Sequence, residues 1–142
     1  MLFRSPAERV RFLNLLSELG EKSVVLLSTH IVEDVSELCT RMAIINKGQI
    51  LQEAEPLKAV EGLQSKIWRR LVEKSALPQL EREYKIISTK LLSGKTAVHV
   101  YSEEAPGNGF EPVAPDLEDV YFTTMAGYGQ NQVMQQEREV QL

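Results

Sequence analysis

Apolar and polar positions follow different periods along the chain, and each change of period marks an element. Between residues 6 and 19 the apolar positions Val10, Leu13 and Leu16 recur beside Phe12, Leu15 and Leu19, the spacing of a helix with a wide buried stripe. Ser5-Pro6-Ala7-Glu8 is a helix start, with Ser5 as N-cap, Pro6 at the first helical position and Glu8 at the capping-box position. Gly20 is the expected stop. Ser23-Val24-Val25-Leu26-Leu27 has no alternation, so it predicts a strand covered on both faces, as in a parallel sheet flanked by helices. A polar tip follows at Ser28-Thr29-His30. Thr29 then caps a helix over 31–39, with Ile31, Val35, Leu38 and Cys39 as its apolar face and Glu33, Asp34, Ser36 and Glu37 in water.

The second strand is predicted over 41–46. Asn46-Lys47-Gly48 is a hairpin signal, and 49–53 returns antiparallel. A short helix starts at Pro56 and closes at Gly62. From Lys66 the texture changes: strand 67–72, helix 77–84, strand 85–92, a turn at Ser93-Gly94-Lys95, and strand 96–102. In that last strand Val98 and Val100 face one way, and Ala97, His99 and Tyr101 the other. Residues 103–115, with prolines and glycines at Pro106, Gly107, Gly109, Pro112 and Pro115, form a loop. A helix follows over 116–125, with Leu117, Val120, Tyr121 and Met125 on its buried side. The order βαββα is that of a small split-βαβ layer. Residues 128–142 are Gln-rich and read as a disordered tail.

At 142 residues the chain is long enough for one domain or two pieces of about 65 to 75 residues. Net charge is −4, and the densest basic stretch, Lys66 to Arg70 around Trp68, is too short for a phosphate-tracking surface. Nucleic-acid binding is therefore disfavoured. The lone Cys39 excludes an intramolecular disulfide and reads as a small core residue. No apolar run approaches the ~20 residues that span a bilayer, and no signal peptide is visible at the start. A cytoplasmic chain is expected.

His30, just past the end of a buried strand, stands where open α/β sheets usually carry their chemistry. A helix-capping or partly buried histidine is the plain alternative. His99 reads as a surface histidine with no ligand at metal spacing. Two histidines and one cysteine, far apart, make no structural zinc site. Asp116, Glu118 and Asp119 suit the start of a helix dipole, and no metal site is expected.

The stretch 6–50 resembles the end of the nucleotide-binding subunit of an ABC transporter. Pro6-Ala7-Glu8-Arg9 resembles the end of the family's D-loop. Leu26-Leu27-Ser28-Thr29-His30 resembles the H-loop strand, and Val32-Glu33-Asp34-Val35 with Glu37-Leu38-Cys39 the helix after it. Arg41-Met42-Ala43-Ile44-Ile45 and Lys47-Gly48-Gln49-Ile50 resemble the strand and hairpin that close the ATPase fold. Leu117-Glu118-Asp119-Val120-Tyr121-Phe122 is similar to the helix ending many longer subunits. The resemblance implies an α/β fold: the carboxyl-terminal part of a P-loop NTPase (ABC ATPase) domain over 1–63, then a small α+β accessory domain over 64–127.

It also implies that His30 is the switch histidine, whose imidazole reaches the γ-phosphate and helps to align the attacking water. The phosphate cradle itself is missing. No G-x-x-x-x-G-K-[ST] occurs, and the signature, the Walker B strand and its glutamate are also absent. Gly94-Lys95-Thr96 and Leu92-Ser93-Gly94 match such motifs only by spelling. Ser5 stands where the family has aspartate; it caps the helix equally well, but a carboxylate used across the dimer interface is lost. The intact subunit would use ATP and Mg²⁺, pair with a second ATPase subunit and dock on membrane subunits at the inner face of the plasma membrane. For this chain alone the resemblance implies no cofactor, an idle His30 and no catalysis, as for a truncated or frameshifted gene product or one with a late start codon. Self-association through exposed apolar surface is expected. Two other readings stay open: a regulatory or interaction module built on the C-terminal α+β region, and an independent enzyme using His30 as general base.

Overall fold

The computed structural model describes residues 5–129; most of the tail expected over 128–142 lies outside them. The described residues are mixed α/β, with five α-helices and two antiparallel sheets among them. Helix α1 (Pro6–Lys22) begins as its sequence dictates, the Ser5 hydroxyl accepting the Glu8 backbone N–H at 3.3 Å. It does not stop at Gly20. The helix continues to Lys22 and ends where the Ser23 N–H donates to the Leu19 carbonyl. A glycine inside a helix costs only about 1 kcal/mol relative to alanine, which two further backbone hydrogen bonds offset. The expected wide burial is also corrected. Leu13 is the buried residue of α1, whereas Val10, Leu15 and Leu19 are about half exposed. The helix rests on α2 (Val32–Leu38), pinned by Arg9 on Asp34, so Asp34 is not left in water as its pattern predicts.

The strand expected over 24–27 is extended chain without a ladder. Val24 and Leu26 are 101% and 96% exposed. A strand satisfies its backbone only beside another strand, and among the described residues none lies next to this one. Past it, the Thr29 hydroxyl accepts the Ile31 N–H at 2.9 Å, one residue before α2. Strands β1 (Met42–Asn46) and β2 (Gln49–Ala54) then form the expected hairpin. Its two-residue loop, Lys47 and Gly48, has φ of 49° and 74°, the paired positive angles that match the twist of the flanking strands. Helix α3 (Pro56–Glu61) follows.

Strand β3 (Ile67–Val72), helix α4 (Leu77–Glu83), strands β4 (Lys85–Leu92) and β5 (Lys95–Tyr101), and the two-residue β6 (Glu111–Pro112) build the second sheet. Its order is β4-β5-β3-β6. Because β5 is antiparallel to both β3 and β4, those two run parallel with α4 crossing between them and β5 inserted: a split βαβ unit. One face, with Val72, Val98, Val100 and Phe110, packs under Leu80 of α4, with Trp68 and Tyr84 alongside. The other face, with Ile67, Ile87 and Tyr101, packs against Phe122 and Tyr128.

Helix α5 (Leu117–Ala126) covers that second face and also closes the hairpin region, where Leu117 and Val120 join Ile44 with Val32, Val35, Met42 and Val60 packed around them. Serving two neighbours widens its buried arc. Asp119, Thr123 and Thr124 are buried, whereas Tyr121 and Met125, expected inside, are 37% and 36% exposed.

Candidate functional site

His30 follows the unpaired segment and is exposed. It stands at the mouth of a cleft of about 330 Å³ between the first turn of α2 and the first turns of α5. Val32, Glu33 and Ser36 form one wall, and Asp116, Leu117, Glu118 and Tyr121 the other. Three carboxylates thus line the same cleft as one imidazole. Glu118 is matched by Lys90 at 2.9 Å. The Asp116 carboxyl sits above its ordinary range, because burial disfavours its charge and Asp119 lies beside it. The structure places His30 in one cleft with Asp116 and Glu118 of α5, a proximity that sequence spacing did not foretell.

The remaining candidates fall elsewhere. Gly94-Lys95-Thr96 belongs to the β4–β5 turn, with Ser93 and Gly94 at φ of 51° and 77° and Thr96 buried in the strand. Cys39 is half-buried just past α2, and burial raises its thiol pKa, which disfavours the thiolate. Among the described residues no group of three or more His, Cys, Asp or Glu is placed to hold a metal ion. No helix among them is long and apolar enough to cross a membrane.

The polar pair that sequence reasoning missed is His99 with Asp119. Their side chains are only 15% and 5% exposed, and His99 Nδ1 lies 3.1 Å from Asp119 Oδ1. This corrects the reading of His99 as a surface residue. The strand's alternation placed His99 beside Ala97 and Tyr101 correctly, but that face is covered by α5 rather than by water. Asp119 is also the second half of the capping box of α5. Asp116 Oδ1 accepts the Asp119 N–H at 2.8 Å, and Asp119 Oδ2 accepts the Asp116 N–H at 3.0 Å. Burial alone would raise the Asp119 carboxyl; the hydrogen bond from His99, with those of Asp116, outweighs it and holds the group below its ordinary value.

A carboxylate orienting an imidazole is half of a nucleophilic triad, and Ser88 stands opposite His99 across the β4–β5 ladder. No hydrogen bond joins Ser88 to His99 among the described residues. The pair fastens α5 to the sheet. One legible signal was available, the spacing Asp116-x-x-Asp119, which promises a carboxylate folded back on a helix start.

Fold and sites together define a mixed α/β chain with two antiparallel sheets and an exposed histidine beside an acidic cleft. Comparison with known proteins finds no family model that matches the chain, and no curated protein or solved structure that matches it.

Proposed function

We propose that this chain is the carboxyl-terminal part of the ATP-binding subunit of an ABC transporter, from the D-loop and H-loop onward, and that it is catalytically incompetent alone. The observation that carries the reading is the segment 23–30. It combines the Leu-Leu-Ser-Thr-His resemblance with an extended backbone whose Val24 and Leu26 side chains lie wholly in solvent. Apolar residues of strand-forming type, extended yet unpaired, are what a sheet strand becomes without its neighbours. Downstream, the helix, strand and hairpin follow in the order that the resemblance implies.

In the intact subunit ATP and Mg²⁺ would be held by a Walker A loop, signature and Walker B strand supplied from elsewhere. His30 would approach the γ-phosphate, with a second ATPase subunit and membrane subunits as partners on the cytoplasmic side. The coding DNA upstream of Met1 tests this directly: Walker A, signature and Walker B sequences in any frame are expected, and the absence of all three overturns the proposal. The purified chain should show no Mg²⁺-dependent ATPase activity; a measurable rate would contradict its incompetence.

The second reading, an interaction module on the C-terminal region, is favoured by the split βαβ sheet, which is covered on both faces. It requires residues 66–127 to unfold cooperatively when expressed by themselves.

A further inference from the structure

We propose that α5 is a positioning helix for His30: it ties the segment carrying this imidazole to the carboxyl-terminal sheet, so that the sheet governs where the imidazole stands. The inference deepens the reading of His30 as a γ-phosphate sensor and rests on that reading for its functional meaning.

His30 has little hold of its own. Residues 24–27 before it are extended without a ladder, and its side chain is exposed. Beside it the Thr29 hydroxyl accepts the Ile31 N–H, and the Ile31 carbonyl accepts the Asp34 N–H at 3.2 Å. The segment is thus continuous with the first turn of α2, and the imidazole follows that helix. A helix of seven residues is too short to be stable by itself, so α2 takes its place from what it packs on. Val32 and Val35 seat it against Leu117 and Val120 of α5 with Ile44 of β1, and Arg9 holds it to α1.

Helix α5 is in turn fixed from the sheet. Asp119 meets His99 of β5 at 3.1 Å, Glu118 meets Lys90 of β4 at 2.9 Å, and Phe122 packs with Ile67, Ile87 and Tyr101. Leaving a buried polar group such as Asp119 unpaired is strongly unfavourable, so this side of α5 stays with the sheet. Three successive residues therefore serve three neighbours: Leu117 the α2 and hairpin cluster, Glu118 β4, and Asp119 β5. Leu117 and Glu118 also line the cleft at whose mouth His30 stands. Packed side chains and paired charges make a contiguous link from sheet to imidazole. A partner that loaded the sheet, or drew Asp119 away from His99, would shift α2 and the sensor with it.

Nuclear magnetic resonance of the full chain tests this. The chain holds two histidines, so replacing His99 leaves the His30 imidazole as the single histidine signal in a proton–carbon correlation spectrum. His99→Gln keeps a donor for Asp119 and should leave the His30 signal at its wild-type position. His99→Leu removes the donor; the His30 signal should shift, and exchange of the Asp34 and Cys39 N–H groups of α2 should quicken several-fold. A direct effect of charge would not quicken that exchange. Lys90→Met against Lys90→Arg repeats the comparison at an exposed ion pair, and it decides alone if His99→Leu does not fold. A shift with quickened exchange in either disruptive variant, spared in its conservative counterpart, supports the proposal. An unmoved His30 signal in the folded disruptive variants, a shift without quickened exchange, or equal shifts in the conservative variants would overturn it. Such a failure leaves the transporter reading standing, whereas a gene without the upstream motifs would remove that reading and leave the shift in place.

Discussion

Ile67 and Leu26 are both large apolar residues in extended backbone, yet one has no exposed surface and the other is 96% exposed. Ile67 lies on β3, paired on both sides by β5 and β6 and roofed by α5. Leu26 lies in a segment with neither partner nor roof. The difference is not one of residue type. Apolar sequence specifies a strand only where the rest of the chain supplies the neighbours, and here the sheet region does so while the region around α1 does not.

The sharpest way to break that contrast is to remove side chain from each. Ile67→Ala leaves a cavity under α5 and should cost about 2–5 kcal/mol in denaturant unfolding. Leu26→Ala should change stability by less than about 0.5 kcal/mol, since the side chain buries nothing. Equal losses at the two positions would show that residues 24–27 are covered after all.

The next largest effect concerns the join between the regions. Asp119→Ala removes the capping box and leaves His99 buried without its acceptor. About 3 kcal/mol should be lost, the sum of a cap and an unsatisfied buried donor. Since α5 packs on both the hairpin and the sheet, amide-exchange protection of β1–β2 and of β3–β5 should be lost in one transition. Separate transitions would mean that α5 does not couple them.

The same residue has a pH signature. Its folded-state pKa is lowered, so its contribution is fully present above the unfolded aspartate value of about 3.9 and is lost as pH falls through the folded value. The Tm difference between the wild type and Asp119→Asn should therefore be constant near neutrality and shrink below about pH 4. A difference that grows on acidification would reverse the assignment.

These contrasts also explain what the sequence could convey. Turns and hairpins were legible because their determinants are local: Lys47-Gly48 and Ser93-Gly94 supply positive φ wherever they occur. The split βαβ strands were legible because their periods change at such turns. Segment 24–27 was misread because strand formation depends on a neighbour, which no local pattern encodes. His99 was misread for a related reason. Alternation assigns a residue to a face, but only the tertiary fold decides that α5 covers that face. Of the candidate site, the sequence located His30 at a polar tip; the acidic wall facing it comes from residues 116–118, distant in the chain and brought there by α5.

The smallest effect separates helix continuation from helix termination in α1. Gly20 lies within the helix, and a Cβ there would meet no atom within 4 Å. Gly20→Ala should therefore raise local helix stability by about 0.5–1 kcal/mol, by restricting the unfolded chain and raising helix propensity. Because α1 rests mainly on α2, part of this gain should appear as slower amide exchange at Ser23, whose N–H closes the last turn on Leu19, rather than as a higher global Tm. If the helix instead stopped at Gly20 in a left-handed cap, the same substitution would be strained and exchange at Ser23 would quicken. The sign of that one change reports whether the helix continues into the unpaired segment or ends before it.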